Sequence, residues 1–256
     1  MTIASSRPVE CQKCRRPNQV EICESITSHD RNLRDKLMSG ALWKWRCTHC
    51  AHENVTNYPL LYHDMRTWCL MYYLDRDITQ DPNVIARMVP APDQLTALRR
   101  FNATYRFRLC RSLGDFIEKM RIIDAGLDDR AVEYLKDKAF SRAANARFER
   151  LMDGETKILD FETSPSPSRA SRTEIAFTAY ADALVKIKER LGDETDPNSG
   201  FVIVDQSYIE KRFAEAAPKI KDARAPREAS PADMGSVVFG KSKRYDEARK
   251  SWWRFW

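Results

Sequence analysis

The chain has 256 residues, of which 43% are hydrophobic and 31% charged, so it can form one large domain or two small ones with an ordinary apolar core. It begins without an apolar leader, and its most apolar stretch, residues 68–74, is far shorter than the ~18 residues of a membrane span. We therefore expect a soluble, cytoplasmic protein. Residues 218–256 carry +5 of the net charge of +6, and the near-neutral remainder lacks the concentrated basic surface of a nucleic-acid-binding body.

The first predicted elements are two strands around a short helix, followed by a hairpin partner. Residues 20–26 alternate β-branched and acidic side chains, which is typical of a strand. Asp30 can cap the helix that follows, and Gly40 can end it. Residues 42–47 alternate again and residues 54–61 follow after a short turn, so we expect these two segments to pair.

The middle of the chain predicts a strand, a loop, a helix and another strand. Residues 68–74 have apolar side chains at every second position, which predicts a half-buried strand. Residues 77–93 contain three prolines and predict a loop, whereas residues 94–102 favour a helix. Residues 105–109 alternate apolar side chains with arginines, which predicts a strand with its arginines on the outer face.

Two helices and a third group of elements follow. Ser112 can cap one helix together with Asp115, Gly126 breaks the chain, and Asp128 can open the next helix. Beyond them, a strand is predicted over residues 156–162.

The last part of the body begins with a Ser/Pro repeat over residues 164–168, which predicts an exposed link. Residues 177–191 have one apolar stripe and predict a helix. Residues 201–205 predict a short strand and residues 208–217 a short helix.

These elements predict an α+β fold. An antiparallel sheet would carry a four-cysteine zinc knuckle near the N-terminus, and helices would pack on one face of it. We divide the chain into a zinc-binding domain over residues 1–140, an α/β extension over residues 141–217 that completes the body, and a flexible basic tail over residues 218–256.

The strongest chemical signal is a pair of C-x-x-C motifs. Cys11 and Cys14 form the first, and Cys47 and Cys50 the second. Two such pairs are the usual ligand set of a structural zinc ion, held by four thiolates in a tetrahedron. Reduced core cysteines or a redox-active pair are the alternatives. Flanking His49 and His52 could replace a sulfur, support the site, or simply lie at the surface.

Other candidate residues carry weaker signals. The cysteines at positions 23, 69 and 110 stand alone in apolar surroundings and are interpreted as core residues. His63 could act as a general base beside Asp64, but adjacent residues of a strand point to opposite faces. We therefore assign no catalytic residue, and a structural role for Tyr62-His63-Asp64 is the alternative.

The chain resembles the CpXC family of bacterial proteins over residues 1–140, with a weaker echo at residues 201–208. The resemblance rests on both cysteine motifs, on Pro59-Leu60-Leu61-Tyr62-His63-Asp64, and on later residues, which are Arg108, Leu113 to Ile117, Glu118-Lys119, Gly126-Leu127-Asp128-Asp129-Arg130, Glu133 and Lys136. The family favours proline after the first cysteine of a pair and glycine after the second. This chain departs from that pattern at four positions, namely Gln12, Arg15, Thr48 and Ala51. The resemblance implies a metal-binding domain and no established activity.

The chain ends in four aromatic residues within six, Trp252, Trp253, Phe255 and Trp256. Exposed aromatic side chains commonly anchor protein interfaces, so we assign these residues to partner binding. Packing on the chain's own body, a second copy of the chain or a membrane surface are the alternatives. The leading hypothesis is a zinc-stabilised, non-catalytic module that binds a partner protein. A nucleic-acid-binding protein using arginines 99–111 and the basic tail is the second, and a metal-supported hydrolase using His63 is the third.

Overall fold

The fold combines three β-sheets with helices, in a computed structural model that describes residues 2–76, 92–140, 145–166, 169–192 and 200–216. In chain order the strands are β1 (Ile3–Glu10), β2 (Pro17–Thr27), β3 (Lys44–Arg46), β4 (Glu53–Val55), β5 (Leu60–Asp64), β6 (Cys69–Tyr73), β7 (Arg106–Cys110), β8 (Arg147–Met152), β9 (Ile158–Ser166) and β10 (Arg169–Ala176). The helices are α1 (Arg31–Met38), α2 (Pro92–Phe101), α3 (Leu113–Asp124), α4 (Asp129–Ala139), α5 (Phe177–Leu191) and α6 (Gln206–Glu215), with a short 3-10 helix at Ala41–Trp43. The predicted α+β class is confirmed.

The largest sheet has the strand order β1-β2-β5-β6-β7. Strand β2 pairs antiparallel with β1 and, through Ser25–Thr27, parallel with β5. Strands β5 and β6 are antiparallel, and β6 and β7 are parallel. The strand predicted over residues 20–26 therefore lies within β2. The polar edge strand β1 was not predicted, because it has no alternation of apolar side chains.

The centre of this sheet is buried on both faces. Every residue of β5 and β6 is buried, so the half-buried strand predicted over residues 68–74 is wrong in that respect. On one face Met71 and Tyr73 pack in a cluster with Phe116 of α3. On the other face Leu70 and Tyr72 join Leu95 of α2 in a second cluster. Because both faces of the sheet are covered, alternate side chains of β6 enter two different apolar cores, and none of its faces is directed to solvent.

Strands β3 and β4 form the predicted hairpin, with Lys44 opposite Val55. The second half of the strand predicted over residues 54–61 behaves differently. After Val55 the chain leaves the hairpin, and Leu60–Asp64 enters the large sheet as β5. Pro59 separates the two parts, because its missing amide N–H interrupts a ladder of backbone hydrogen bonds.

A three-stranded antiparallel sheet, ordered β10-β9-β8, forms the later part of the fold. Leu159 and Phe161 of β9 pack in one cluster with Val132 of α4, Ile187 of α5 and Ile209 of α6. This core joins α4 to elements beyond residue 141. The domain boundary at residues 140 and 141 stays a prediction.

The link predicted over residues 164–168 is corrected at residues 164–166, which belong to a strand. Strand β9 continues to Ser166, which lies opposite Arg169 of β10. Pro165 is tolerated because β8 pairs with β9 only as far as Glu162. Beyond that point β9 has a single described neighbour, and proline is acceptable on an edge.

Side-chain caps confirm the predicted starts of α3 and α4. The Ser112 hydroxyl accepts the amide N–H of Asp115 at 3.1 Å at the start of α3. The Asp128 carboxylate accepts the amide N–H of Arg130 at 2.9 Å at the start of α4. Gly192 follows α5 with a φ of 65°, a left-handed conformation that glycine adopts without strain.

The strand predicted over residues 201–205 reduces to a single bridge. The amide of Leu109 donates to the carbonyl of Val202 at 3.0 Å, and the amide of Val202 donates to Phe107 at 3.2 Å. Asp205 then caps α6, so the chain turns away after one bridging residue. The loop predicted over residues 77–93 falls outside the described residues except for the start of α2, and the predicted tail lies outside them entirely.

A network of buried charges joins β7, α3 and α4. Arg108 is 1% exposed and makes two hydrogen bonds, of 2.7 and 2.8 Å, to Asp129, which is fully buried. The prediction that this arginine lies on the outer face of its strand is therefore wrong. Buried pairs from Lys119 to Glu133 at 2.7 Å and from Lys136 to Glu118 at 2.9 Å extend the network. These three cations and three carboxylates balance, which is the usual condition for burying charge.

Candidate metal centre

The two cysteine pairs lie in two turns with the same backbone hydrogen bonds. In the first turn, between β1 and β2, the amide of Arg15 donates to the carbonyl of Cys11 at 2.9 Å, and the amide of Cys11 donates to the carbonyl of Arg16 at 3.0 Å. The second turn, between β3 and β4, repeats both bonds around Cys47, each at 2.9 Å. Each pair therefore lies at the end of a strand.

Each turn contains one residue in the left-handed conformation. Arg15 has a φ of 59° and Ala51 a φ of 57°. A residue with a Cβ atom in this conformation costs about 1–2 kcal/mol. These are the two positions at which the sequence carries a side chain where the CpXC pattern favours glycine. The two turns adopt this conformation despite that cost.

The four cysteine sulfurs meet at one point in the fold. All four Sγ atoms lie within 4.8 Å of one another. The Sγ atoms of Cys11 and Cys50 are 3.7 Å apart, and those of Cys14 and Cys47 are 3.6 Å apart. Four zinc–thiolate bonds of ~2.3 Å in a tetrahedron place the sulfurs roughly 3.8 Å apart. The four cysteines could therefore hold a metal ion.

Backbone amides favour ionisation of two of these thiols. Burial alone would raise the pKa of Cys11, but the amides of Cys14 and Lys13 donate to its sulfur and lower the pKa to about 6. Burial opposes ionisation at Cys47 as well, yet amides that include that of His49, 3.4 Å from the sulfur, lower its pKa. The intervening amides thus point at the sulfurs.

Cys50 shows the opposite balance. The amide of His52 would lower the pKa of Cys50, but burial and the three neighbouring sulfurs raise it to about 11. Negative charge on the neighbouring sulfurs therefore opposes ionisation of Cys50. A divalent cation would supply the missing positive charge and would release the remaining protons on binding.

Asn18 ties the first turn to the second. It is 6% exposed, and its Oδ1 accepts both the amide and the hydroxyl of Thr48 at 2.9 Å. Its Nδ2 donates to the carbonyl of Arg16 at 2.9 Å and to the sulfur of Cys47 at 3.5 Å. One amide side chain therefore holds the turn that it follows, the opposite turn and one candidate ligand.

Asn54 makes the reverse connection. It is 1% exposed, and its Oδ1 accepts the amide of Gln12 in the first turn at 2.9 Å. Its Nδ2 donates to the carbonyl of His52 in its own turn at 3.0 Å. The two asparagines therefore connect the turns reciprocally.

Sequence reasoning missed both asparagines, although a signal was present. Each follows the second cysteine of its pair by four positions, so both turns share the pattern C-x-x-C-x-x-x-N. Comparing the segment from Cys11 to Asn18 with the segment from Cys47 to Asn54 would have shown the repeat. Gln12 and Thr48 occupy the positions at which proline was expected. Their backbone amides donate to the side chains of Asn54 and Asn18.

The two flanking histidines contribute through their backbones. The amide of His49 donates to the sulfur of Cys47, and the carbonyl of His52 accepts the amides of Cys47 and of the Asn54 side chain. His49 is exposed and His52 is half-buried. Within the described residues, the group that could hold a metal comprises the four cysteines without a histidine.

The Tyr62-His63-Asp64 motif lies in strand β5, whereas the four cysteines lie in the turns between β1 and β2 and between β3 and β4. His63 Nε2 lies 2.5 Å from the hydroxyl of Tyr105, and burial lowers the pKa of His63 to about 4. Asp64 accepts the amide of Arg66 at 2.9 Å and holds the turn after the strand. The two side chains have different partners, which favours the structural alternative.

The three remaining cysteines are buried, as predicted. Burial raises the pKa of Cys69 to about 12 and raises the pKa values of Cys110 and Cys23 as well. All three belong to the apolar cluster beneath the large sheet. They behave as small core residues rather than ligands.

The arginines proposed for nucleic-acid binding do not form an exposed set. Arg99, Arg108 and Arg111 are buried, and Arg99 lies 4.6 Å from the centre of the Phe107 ring. Arg100 is exposed and Arg106 half-buried. The four terminal aromatic residues assigned to partner binding lie outside the described residues.

The fold and the four-sulfur cluster define an α+β protein with a cysteine-only candidate metal centre. The family model described as CpXC protein matches residues 9–136, which is half of the chain. The chain therefore belongs to the CpXC family. No curated protein and no solved structure matches it. Among the described residues, no helix is long and apolar enough to cross a membrane.

Proposed function

We propose that the four cysteines bind one zinc ion and that this ion stabilises a non-catalytic interaction module. Four sulfurs from two separate turns lie together at spacings close to those of a four-thiolate zinc site, and this arrangement supports the proposal most directly. Borderline-soft zinc is the usual occupant of tetrahedral four-sulfur sites in structural domains.

The contacts between pairs favour zinc over redox chemistry. The two short sulfur–sulfur distances join Cys11 to Cys50 and Cys14 to Cys47. A C-x-x-C redox centre instead forms its bond within one pair. The reciprocal asparagine bonds also orient the turns toward each other, which suits an ion that they share.

The ligand set favours a structural ion. Catalytic zinc keeps one position for water or substrate, whereas four protein ligands fill the tetrahedron. The buried histidine at position 63 bonds Tyr105 and does not belong to the sulfur cluster. We therefore assign the protein an interaction role, in which the C-terminal residues Trp252, Trp253, Phe255 and Trp256 dock on a partner protein.

The zinc assignment is tested by metal analysis of purified protein and of two variants. We expect about one zinc per chain from the four-ligand count. Cys47→Ser should lose zinc and unfold the region around the turns, because binding energy at such sites is also folding energy. Cys23→Ala is the matched control, since Cys23 is buried outside the cluster. Folded, metal-free wild-type protein would contradict the assignment.

The docking role is tested by deleting residues 251–256. We expect the zinc content and the melting temperature of the body to stay nearly unchanged, while a partner protein disappears from native pull-downs. A partner list that is identical with and without these residues would remove the docking assignment. A melting temperature lowered by several degrees would assign the segment to the protein's own core instead.

A further inference from the structure

A pocket of about 330 Å³ lies between β2 and β3, next to the cysteine turns. Residues of β2 from Asn18 to Glu21 line one wall, and Lys44, Trp45 and Arg46 of β3 line the other. Lys36 of α1 also borders it. The pocket lies outside the four-sulfur cluster, and its volume falls in the range of ligand sites.

The β2 wall presents backbone groups to the pocket. In the antiparallel pair of β1 and β2, Gln19 lies opposite Pro8, which has no amide N–H to donate. Two residues beyond Glu21, the amide of Cys23 donates to the hydroxyl of Tyr58, on the side away from β1. Because this direction repeats at every second residue, Gln19 and Glu21 also direct their N–H and C=O groups away from β1. Strand β5 joins that side only at Ser25–Thr27.

The β3 wall presents backbone groups in the same way. The carbonyl of Trp43 accepts the amide of Thr56 at 3.0 Å, and the amide of Cys47 donates to His52 at 2.9 Å. These bonds fix which residues of the hairpin face β4. The direction of the backbone groups alternates from one residue to the next. Arg46 directly precedes Cys47, so its N–H and C=O groups face away from β4. The same holds for the C=O of Lys44, whose N–H caps the short 3-10 helix.

The two walls are held apart at both ends. At the metal end, Asn18 bonds Thr48. At the far end, the hydroxyl of Tyr58 accepts from Cys23 and donates to the carbonyl of Leu42 at 3.1 Å. Side chains therefore bridge the two strands where direct backbone bonds would otherwise close the gap. The pocket is preformed, and its metal end depends on the cysteine turns.

The charges at the pocket select an anion. Lys36, Lys44 and Arg46 are exposed at its border, and Glu21 is the one carboxylate among its lining residues. The Nε of Arg46 donates to the carbonyl of Ala51 at 3.0 Å, which places the guanidinium at the border. The chain's own tail carries a net charge of +5 and would be repelled.

We propose that this pocket binds a short acidic peptide segment of a partner protein. The backbone of the peptide would bond the open strand edges at Gln19, Glu21 and Arg46, and the carboxylates of the peptide would lie against the three cations. Recognition would thus combine strand-edge pairing with charge complementarity. This inference rests on the proposed interaction role and names the chemistry of a partner for it.

The test is a fluorescence-anisotropy titration of full-length, metal-loaded protein with labelled peptides. The probe is a capped heptapeptide of alternating glutamate and valine. A lysine–valine peptide and an N-methylated form of the acidic peptide, which lacks the donors for strand pairing, are the controls. We expect binding of the acidic peptide and at least about tenfold weaker binding of both controls, which corresponds to ~1.4 kcal/mol, because the first control reverses the charge and the second removes the backbone donors.

Two charge reversals locate the binding. Lys44→Glu should weaken binding of the acidic peptide about tenfold. Lys211→Glu makes an equal charge change at an exposed position of α6 and should leave the affinity unchanged. The proposal would be overturned by equal effects of the two variants, by equal binding of the basic peptide, or by insensitivity to N-methylation. It would also be overturned if a single-stranded oligonucleotide bound more tightly than the acidic peptide and Lys44→Glu abolished that binding. The zinc content is measured in the same sample. One zinc per chain without peptide binding refutes only this inference, whereas peptide binding by metal-free protein refutes the zinc assignment.

Discussion

Asn18 and Asn54 are each the second residue of the strand that follows a cysteine turn, and each accepts a backbone amide of the opposite turn at 2.9 Å. The turns are 36 residues apart in sequence, from Asn18 to Asn54. Two buried side chains therefore set the orientation in which the sulfurs face one another. This relationship makes the asparagines positioning residues for the candidate ligands.

Replacing either asparagine should loosen the metal site. Asn18→Ala leaves the amide of Thr48 without its acceptor, and Asn54→Ala does the same to Gln12. Losing an intramolecular hydrogen bond costs about 0.5–1.5 kcal/mol, and we expect each variant to lose stability of that order and to release zinc faster to a chromophoric chelator. Asn102→Ala is the control, because Asn102 accepts the amide of Thr104 in a turn remote in sequence. Equal chelation rates in all variants would remove the positioning role.

Glycine in the strained turn positions should stabilise the protein. Arg15→Gly and Ala51→Gly each relieve a left-handed residue, and we expect a gain of about 1 kcal/mol apiece in the free energy of unfolding. Lys13→Gly, in the same turn but without a positive φ, should instead lose a few tenths of a kcal/mol. Denaturant titration of the metal-loaded protein measures all three. A gain at Lys13 equal to that at Ala51 would contradict the explanation.

Breaking the buried pair of Arg108 and Asp129 should be costly. Asp129→Ala leaves a buried guanidinium without its carboxylate, and such changes cost about 3–5 kcal/mol. The double variant Arg108→Met with Asp129→Leu should recover much of that loss, because it removes both charges together. Chemical denaturation of the three proteins tests this. Single and double variants of equal stability would show that the charges are not coupled.

His63 should make the protein less stable in acid. Burial places the pKa of His63 in the folded protein at about 4, below the ordinary value of roughly 6.5. The unfolded chain therefore binds the proton more readily, and stability is lost as the pH falls from about 6.5 toward 4. We expect His63→Asn to flatten this part of the stability curve while leaving the acid release of zinc unchanged. An unaltered slope would show that the histidine is not responsible.

Local patterns predicted the caps, the hairpin and the four-cysteine set, because these depend on neighbouring residues. The alternation around Arg108 was misinterpreted, since its partner Asp129 lies 21 positions away and nothing local shows that the charge is neutralised. The polar strand β1 was missed because its pairing with β2 depends on backbone bonds. The asparagine connections were missed because each joins residues at least 30 positions apart.

The four cysteines also enclose the segment between them. With zinc bound, residues 14–47 form a closed ring that contains β2, α1 and β3, and β2 is the strand through which β1 joins the large sheet. Closing a ring of this size removes roughly 3–4 kcal/mol of chain entropy from the unfolded state. The concentration of free zinc would then set how much of the newly made protein keeps its sheet intact. In a cell, zinc supply would thereby govern the amount of this protein that escapes proteolysis.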